Sequence, residues 1–236
     1  SELGVDPQPA DPRQEASHLV RRFIAFAARE PVMEERVCRF EALVYQRMAM
    51  EGVSFKEALL AGYKAFLASG DFLYVREPKS SADHFAIASR LSLFLTNSSP
   101  DTRLAGLARH ERLGDPGVLV EEANRLIASH AFERFVRNFT DYWLNLRHIR
   151  RDDPDIRLFP EYRFDEYLVE SMERETQAFF TAMVRENLPA TVLVKADFTF
   201  ANDRLAKHYQ LEPLSGSAVR KTRVPVGSPY GGLLTQ

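Results

Sequence analysis

Residues 165–187, DEYLVESMERETQAFFTAMVREN, carry the periodicity that decides the fold class. Leu168, Met172, Phe179 and Met183 recur at intervals of four and seven residues, so they lie along one face of an α-helix. Polar and charged residues fill most of the positions between them, which is typical of a helix with one buried face. The stretch therefore predicts a long amphipathic helix that packs against other elements.

Helix-start signals occur at several other places in the chain. Asp11 precedes Pro12, and Asp115 precedes Pro116, which gives an N-cap followed by proline in the first turn. Ser54 and Glu57 have the spacing of a capping box, and Asn202 can cap a last short helix. The apolar stretch 130–149 predicts one helix, and residues 72–75 predict a strand or an extended connector. With about eight such helical segments and little strand-like alternation, the sequence predicts an all-α fold, a single compact multi-helix domain with a short strand and turn tail.

The predicted organisation has three parts. Residues 1–11 are polar and rich in proline, which favours a disordered leader. Residues 12–213 form the helical domain, and residues 214–236 form the strand and turn tail. Because the tail ends on the apolar string GGLLTQ, we expect it to lead into a further module beyond Gln236.

Composition excludes several classes of function. The 31 basic residues against 33 acidic ones argue against a nucleic-acid binder. No apolar run approaches the roughly 20 residues of a membrane-spanning helix. The single cysteine, Cys38, excludes an internal disulfide, a four-cysteine zinc site and a CxxCH haem attachment, so no cofactor is predicted within this chain.

The candidate catalytic residues are Glu175, Asp197, His208 and Arg90. Glu175 falls near the apolar face of the long helix, where a buried carboxylate would need a partner such as Arg90 or Arg134. A structural ion pair and general acid/base chemistry are both open for it. His208 is interpreted either as a base near Asp197 or as a side chain bonded to the last carbonyls of a helix.

Two further clusters have weaker chemical interpretations. Asp152, Asp153 and Asp155 offer the oxygen ligands that calcium accepts, but the EF-hand spacing is absent, and a solvated loop is the alternative. Phe132, Phe135, Phe139 and Trp143 are spaced as a helix face, which predicts hydrophobic core rather than a ligand pocket.

An ordered set of short strings resembles the families of unknown function found in large secreted proteins of planctomycete type that also carry c-type cytochrome domains. The strings are SGDFLY (69–74) with RE (76–77), ASRLSLFL (88–95), SPD (99–101), FxxxWL (139–144), FPE (159–161), ETxxFF (175–180), ADFTFxN (196–202), LAxHY (205–209) and GGLLTQ (231–236). The resemblance implies an exported protein, periplasmic or at the cell surface, often beside modules that carry haem c or bind carbohydrate.

The resulting functional hypothesis is a non-haem scaffold or docking module of a larger exported redox protein. Its partners would be neighbouring modules of the same polypeptide, a cytochrome c domain among them. The alternative is an enzyme, an oxidoreductase or hydrolase acting on an extracellular polymer, with Glu175, Asp197 and His208 in one pocket. The sequence leaves open whether the chain is an enzyme.

Overall fold

The computed structural model describes residues 9–75, 83–151, 155, 157–159 and 165–235. Over these residues the chain forms ten α-helices and one two-stranded sheet, which confirms the predicted all-α class. The helices are α1 (Pro12–Ala27), α2 (Glu34–Met48), α3 (Phe55–Leu67), α4 (Gly70–Leu73), α5 (His84–Thr96), α6 (Thr102–Arg109), α7 (Pro116–Ala128), α8 (Phe132–Trp143), α9 (Glu166–Arg185) and α10 (Asp203–His208).

The sheet pairs β1 (Phe198–Ala201) with β2 (Arg220–Arg223) in antiparallel register, with Phe198 opposite Arg223. β2 confirms the strand expected in the tail, whereas β1 lies inside the segment predicted to be helical. In the described residues, short 3₁₀ helices cover Leu146–His148, Ala190–Leu193 and Leu233–Thr235. None of the helices in the described part of the chain is long and apolar enough to cross a membrane.

The chain divides into two compact units, residues 1–94 with 98–123, and residues 95–97 with 124–236. In the first unit, α1, α2 and α3 pack around Val20, Val44 and Phe66. Gly62 lets α3 approach α2 closely, because a Cβ at this position would lie 2.4 Å from Cγ2 of Val44. The first unit therefore has a hydrophobic core of its own.

In the second unit, α9 packs against α8, β1 and α10. Leu168 on α9 is fully buried with Ala201 of β1 and Leu205 of α10. Phe179, also on α9, stacks on Phe198 with ring centroids 4.9 Å apart. The helix predicted from residues 165–187 is thus the central element of this unit.

The predicted helix starts are confirmed in detail. Asp11 accepts hydrogen bonds from the N–H groups of Arg13 and Gln14, and Ser54 and Glu57 form the capping box. Asn202, also expected to cap a helix, accepts a 3.0 Å hydrogen bond from the N–H of Leu205. These caps are local in sequence, which is why the sequence predicts them.

Two local predictions are wrong. The helix expected over residues 130–149 ends at Trp143, because Asn145 adopts a left-handed backbone with φ of 60°. Phe72 and Leu73, expected to be extended, belong to the single turn of α4. Of the predicted leader, residues 1–8 lie outside the described residues, and the predicted domain limits and the module beyond Gln236 stay predictions.

Candidate functional site

Glu175 is the most deeply buried of the candidate site residues, with 1% of its surface exposed. The Tyr209 hydroxyl donates a 2.7 Å hydrogen bond to its Oε2, and the Thr199 hydroxyl donates a short hydrogen bond to its Oε1. Thr199 and Tyr209 are themselves buried. A carboxyl group on α9 therefore joins β1 to the end of α10.

The partners of Glu175 differ from those expected from the sequence. Arg90 or Arg134 was the expected partner, but the carboxylate is bonded to two neutral hydroxyl groups. Arg134 instead donates a 2.8 Å hydrogen bond to the carbonyl oxygen of Thr96. Burial raises the pKa of Glu175 to about 7, against the opposing effect of the two hydroxyl donors.

A second set of polar side chains ties α9 to α10 beside this carboxyl. The buried Asn202 donates from Nδ2 to the Ser171 hydroxyl at 2.8 Å and to the Tyr167 hydroxyl at 3.1 Å. The Tyr167 hydroxyl in turn donates to Asp203 at 2.8 Å. Because buried polar groups are costly when unpaired, this network fixes one arrangement of the two helices.

Glu175, Thr199 and Tyr209 form a buried cluster. Asp197 lies outside this cluster, in an open groove. Residues 192–198 and 224–231 line this groove, which has a volume of about 670 Å³. The side chains of Lys195 and Asp197 are exposed there, beside the ring of Tyr230. The backbone holds the walls together, since the N–H of Val224 donates to the carbonyl oxygen of Asp197 at 2.9 Å.

The other two predicted catalytic residues, His208 and Arg90, belong to helices α10 and α5. His208 is the last residue of α10, and its ring centroid is 5.2 Å from that of Tyr209. Arg90 is exposed on α5 in the first unit. Tyr209, which directly follows α10, is the residue bonded to Glu175, and catalysis by Glu175, Asp197, His208 and Arg90 together stays a prediction.

The acidic loop is described only at one of its three aspartates. Asp155 is bonded to Arg157, whose guanidinium is 2.7 Å from Oδ2 and holds the pKa of that carboxyl below its usual range. Asp152 and Asp153 lie outside the described residues. In the described part of the chain, no group of three or more His, Cys, Asp or Glu could hold a metal ion.

The aromatic face of α8 is only partly core. Phe132 is buried as predicted, but Phe139, Tyr142 and Trp143 are 38%, 74% and 43% exposed, which contradicts the core interpretation for Phe139 and Trp143. We call these three residues the aromatic surface. Phe139 stacks on the buried ring of Phe180 with centroids 5.1 Å apart, so a buried ring supports the aromatic surface from the core side.

Exposed arginines follow the aromatic surface along the chain. The Arg147 guanidinium lies over the ring of Tyr142, 4.7 Å from its centroid. Arg150 and Arg151 are also exposed, and Arg150 is bonded to Glu173 at 3.3 Å. Arg147 therefore places one guanidinium directly against the aromatic surface.

Sequence reasoning missed the partners that define the buried cluster. Thr199 and Tyr209 lie 24 and 34 residues from Glu175, so no local spacing indicates that they meet. Only the ordered strings that contain them, ADFTFxN and LAxHY, single out the two segments.

One family description accounts for the larger part of the chain. The sequence profile of the family described as "Protein of unknown function (DUF1592)" matches residues 82–211, more than half of the 236 residues. The chain belongs to the DUF1592 family. No curated protein and no solved structure is significantly similar to it.

Several features of the second unit lie within the residues that the DUF1592 profile matches. They include Glu175, Thr199 and Tyr209 of the buried cluster and the aromatic surface on α8. The segment 224–231, which forms one wall of the groove, lies beyond the matched residues. Membership agrees with the unknown-function part of the resemblance and carries no assignment of planctomycete origin or of a cytochrome.

Proposed function

We propose that this DUF1592 protein is a docking module, which uses the aromatic surface of α8 to hold a c-type cytochrome module within an exported redox protein. The observation that carries the proposal is the exposure of Phe139, Tyr142 and Trp143 on one helix. Aromatic residues clustered on a surface are enriched at protein interfaces, where tryptophan and tyrosine supply much of the binding energy.

The construction of the surface supports a binding role over a folding role. Tyr142 is mostly exposed, so it contributes little to the core. The rings of Phe139 and Trp143 pack against each other with centroids 5.4 Å apart, and both rest on Phe180, which limits their motion. Rigid aromatic groups lose little conformational entropy on binding, which favours affinity.

Charge supports a partner with an acidic face. Arg147 stacks on Tyr142, and Arg151 follows it at an exposed position, whereas Arg150 is paired with Glu173. Exposed guanidinium groups beside an apolar contact area attract acidic groups of a partner. Carboxylates around an apolar contact area are therefore the partner chemistry that fits this surface.

The cytochrome itself comes from the resemblance of the ordered strings, which also implies export to the periplasm or the cell surface. The chain carries one cysteine, so a covalently attached haem would belong to a neighbouring module. In this proposal the DUF1592 chain binds no haem and positions the module that does.

Isolation of the native polypeptide tests this assignment. An antibody against the 236-residue chain would recover it from fractionated cells, and the recovered protein would be examined for mass and visible absorption. We expect it in the exported fraction, with a mass well above 26.9 kDa and a Soret band. A polypeptide of 26.9 kDa without visible absorption, or one confined to the cytoplasm, would overturn the proposal.

A further inference from the structure

Both carboxyl oxygens of Glu175 are bonded to elements outside its own helix. Oε1 accepts from Thr199 on β1, and Oε2 accepts from Tyr209 at the end of α10. Thr199 is 24 residues and Tyr209 34 residues further along the chain. One buried side chain thus fastens two elements of the second unit to α9.

The same two partners lead into the groove. Thr199 directly follows Phe198, which lines the groove together with Asp197. The Tyr209 ring lies 4.5 Å, centroid to centroid, from that of Tyr230, which lines the opposite wall. A change at Glu175 therefore reaches both walls through direct contacts.

Among the residues that the structure describes, no cation is bonded to Glu175, and its two partners are hydroxyl groups. β1 and the 3₁₀ helix Leu233–Thr235, which pack on α9, carry no ionisable side chain. α10 carries four charged or titratable residues and α8 carries five, while Glu170, Glu173 and Arg174 flank Glu175 on α9. The nine are Asp203, Arg204, Lys207 and His208 on α10, and Glu133, Arg134, Arg137, Asp141 and Tyr142 on α8.

Most of these groups are bonded elsewhere. Arg204 is paired with Asp165 at the start of α9, and Arg174 is paired with Glu170. His208 is the imidazole whose ring lies against Tyr209, with centroids 5.2 Å apart. It is the group that an experiment must separate from Glu175.

We propose that Glu175 is a protonation-controlled latch: neutral, its carbonyl oxygen accepts from one hydroxyl and its own O–H donates to the other, so it holds β1, the end of α10 and the walls of the groove in place on α9; ionised, it releases them. A charge placed in this buried site without a cation is unfavourable, so ionisation favours any motion that brings water to the carboxylate. Burial places the pKa of Glu175 at about 7, so the latch responds near neutral pH. The inference is independent of the docking role.

Hydrogen exchange on the 236-residue chain tests the latch, with Glu175→Gln as the reference at each pH. Comparison at equal pH cancels the intrinsic effect of pH on exchange. At pH 5.5 we expect the two proteins to exchange alike. At pH 8.5 the parent protein should exchange faster in residues 198–211 and 220–235, by about tenfold, while α1–α3 stay equal in both proteins.

His208→Gln is the matched control and should keep the pH-dependent difference. Loss of the difference in His208→Gln would assign the effect to the histidine and overturn the proposal. Equal exchange of the parent and Glu175→Gln at both pH values would also overturn it. Should Glu175→Gln fail to fold, ¹³C NMR of the glutamate carboxyl carbons in the parent protein decides, since a carboxyl titrating near pH 4.5 at Glu175 refutes the latch.

Discussion

The N–H of Ala196 donates a 2.6 Å hydrogen bond to the carbonyl oxygen of Gly231. This bond joins the segment before β1 to the tail, and a Cβ on Gly231 would lie 2.4 Å from the carbonyl oxygen of Ala196. Gly231 also has a φ of +136°, a backbone conformation that residues other than glycine rarely adopt. The glycine pair 231–232 is thus required by backbone packing within the second unit.

Gly231→Ala should therefore lower the free energy of unfolding by more than about 2 kcal/mol, because the new methyl group meets backbone as well as an unfavourable φ. Gly216→Ala is the matched control, since its φ is +86° and a Cβ there meets nothing within 4 Å. The control should lose about 1–2 kcal/mol from φ strain alone. Urea unfolding measures both, and equal losses would refute the close contact.

A second glycine pair tests packing in the first unit. Gly62→Ala places a methyl group against Val44 and should cost about 1–3 kcal/mol from overpacking, partly offset by the higher helix propensity of alanine. Gly106→Ala, on α6 with open space around it, should instead stabilise by about 0.5–1 kcal/mol. Thermal unfolding followed by circular dichroism distinguishes the two signs. A stabilised Gly62→Ala would show that α2 and α3 are further apart than described.

Because of Glu175, the free energy of unfolding should decrease as the pH rises. The pKa of Glu175 is about 7 in the folded state against 4.5 as the ordinary value, so the folded state binds more protons between these values. Stability is therefore greatest at low pH and is lost as pH rises through 7. From pH 5.5 to 8.5 the expected loss is about 2 kcal/mol, and Glu175→Gln should remove that component. Urea titrations of both proteins at the two pH values measure it, and parallel pH profiles would contradict the account.

The difference in burial between Tyr142 and Phe179 gives another test. Tyr142→Ala should change the free energy of unfolding by less than about 0.5 kcal/mol, because Tyr142 is largely exposed. Phe179→Ala should cost about 3–5 kcal/mol, because Phe179 is fully buried on α9. A large loss for Tyr142→Ala would mean that the aromatic surface belongs to the core.

The sequence predicts the features whose causes are local. Asp11, Ser54 and Asn202 cap helices through backbone groups two or three residues away, so their roles follow from spacing. The burial of Glu175 also follows from the helix face that contains Leu168 and Phe179.

The features that sequence reasoning missed depend on distant contacts or on single backbone angles. β1 has only four residues, and its pairing with β2 joins segments about 20 residues apart, beyond any periodic signal. The end of α8 depends on the left-handed conformation of Asn145. The exposure of Phe139 and Trp143 depends on what packs over α8, which helical spacing alone does not specify.

The docking role is tested most directly by the fluorescence of Trp143, the single tryptophan of the chain, which lies in the aromatic surface. The chain would be titrated with the c-type cytochrome module of the same polypeptide, purified on its own, since a nearby haem quenches tryptophan emission. The account predicts saturable quenching and a dissociation constant about tenfold higher for Tyr142→Ala. Phe26→Ala, whose ring is 87% exposed in the first unit, should leave the dissociation constant unchanged. Absence of saturable quenching, or equal affinity of the parent protein and Tyr142→Ala, would contradict it.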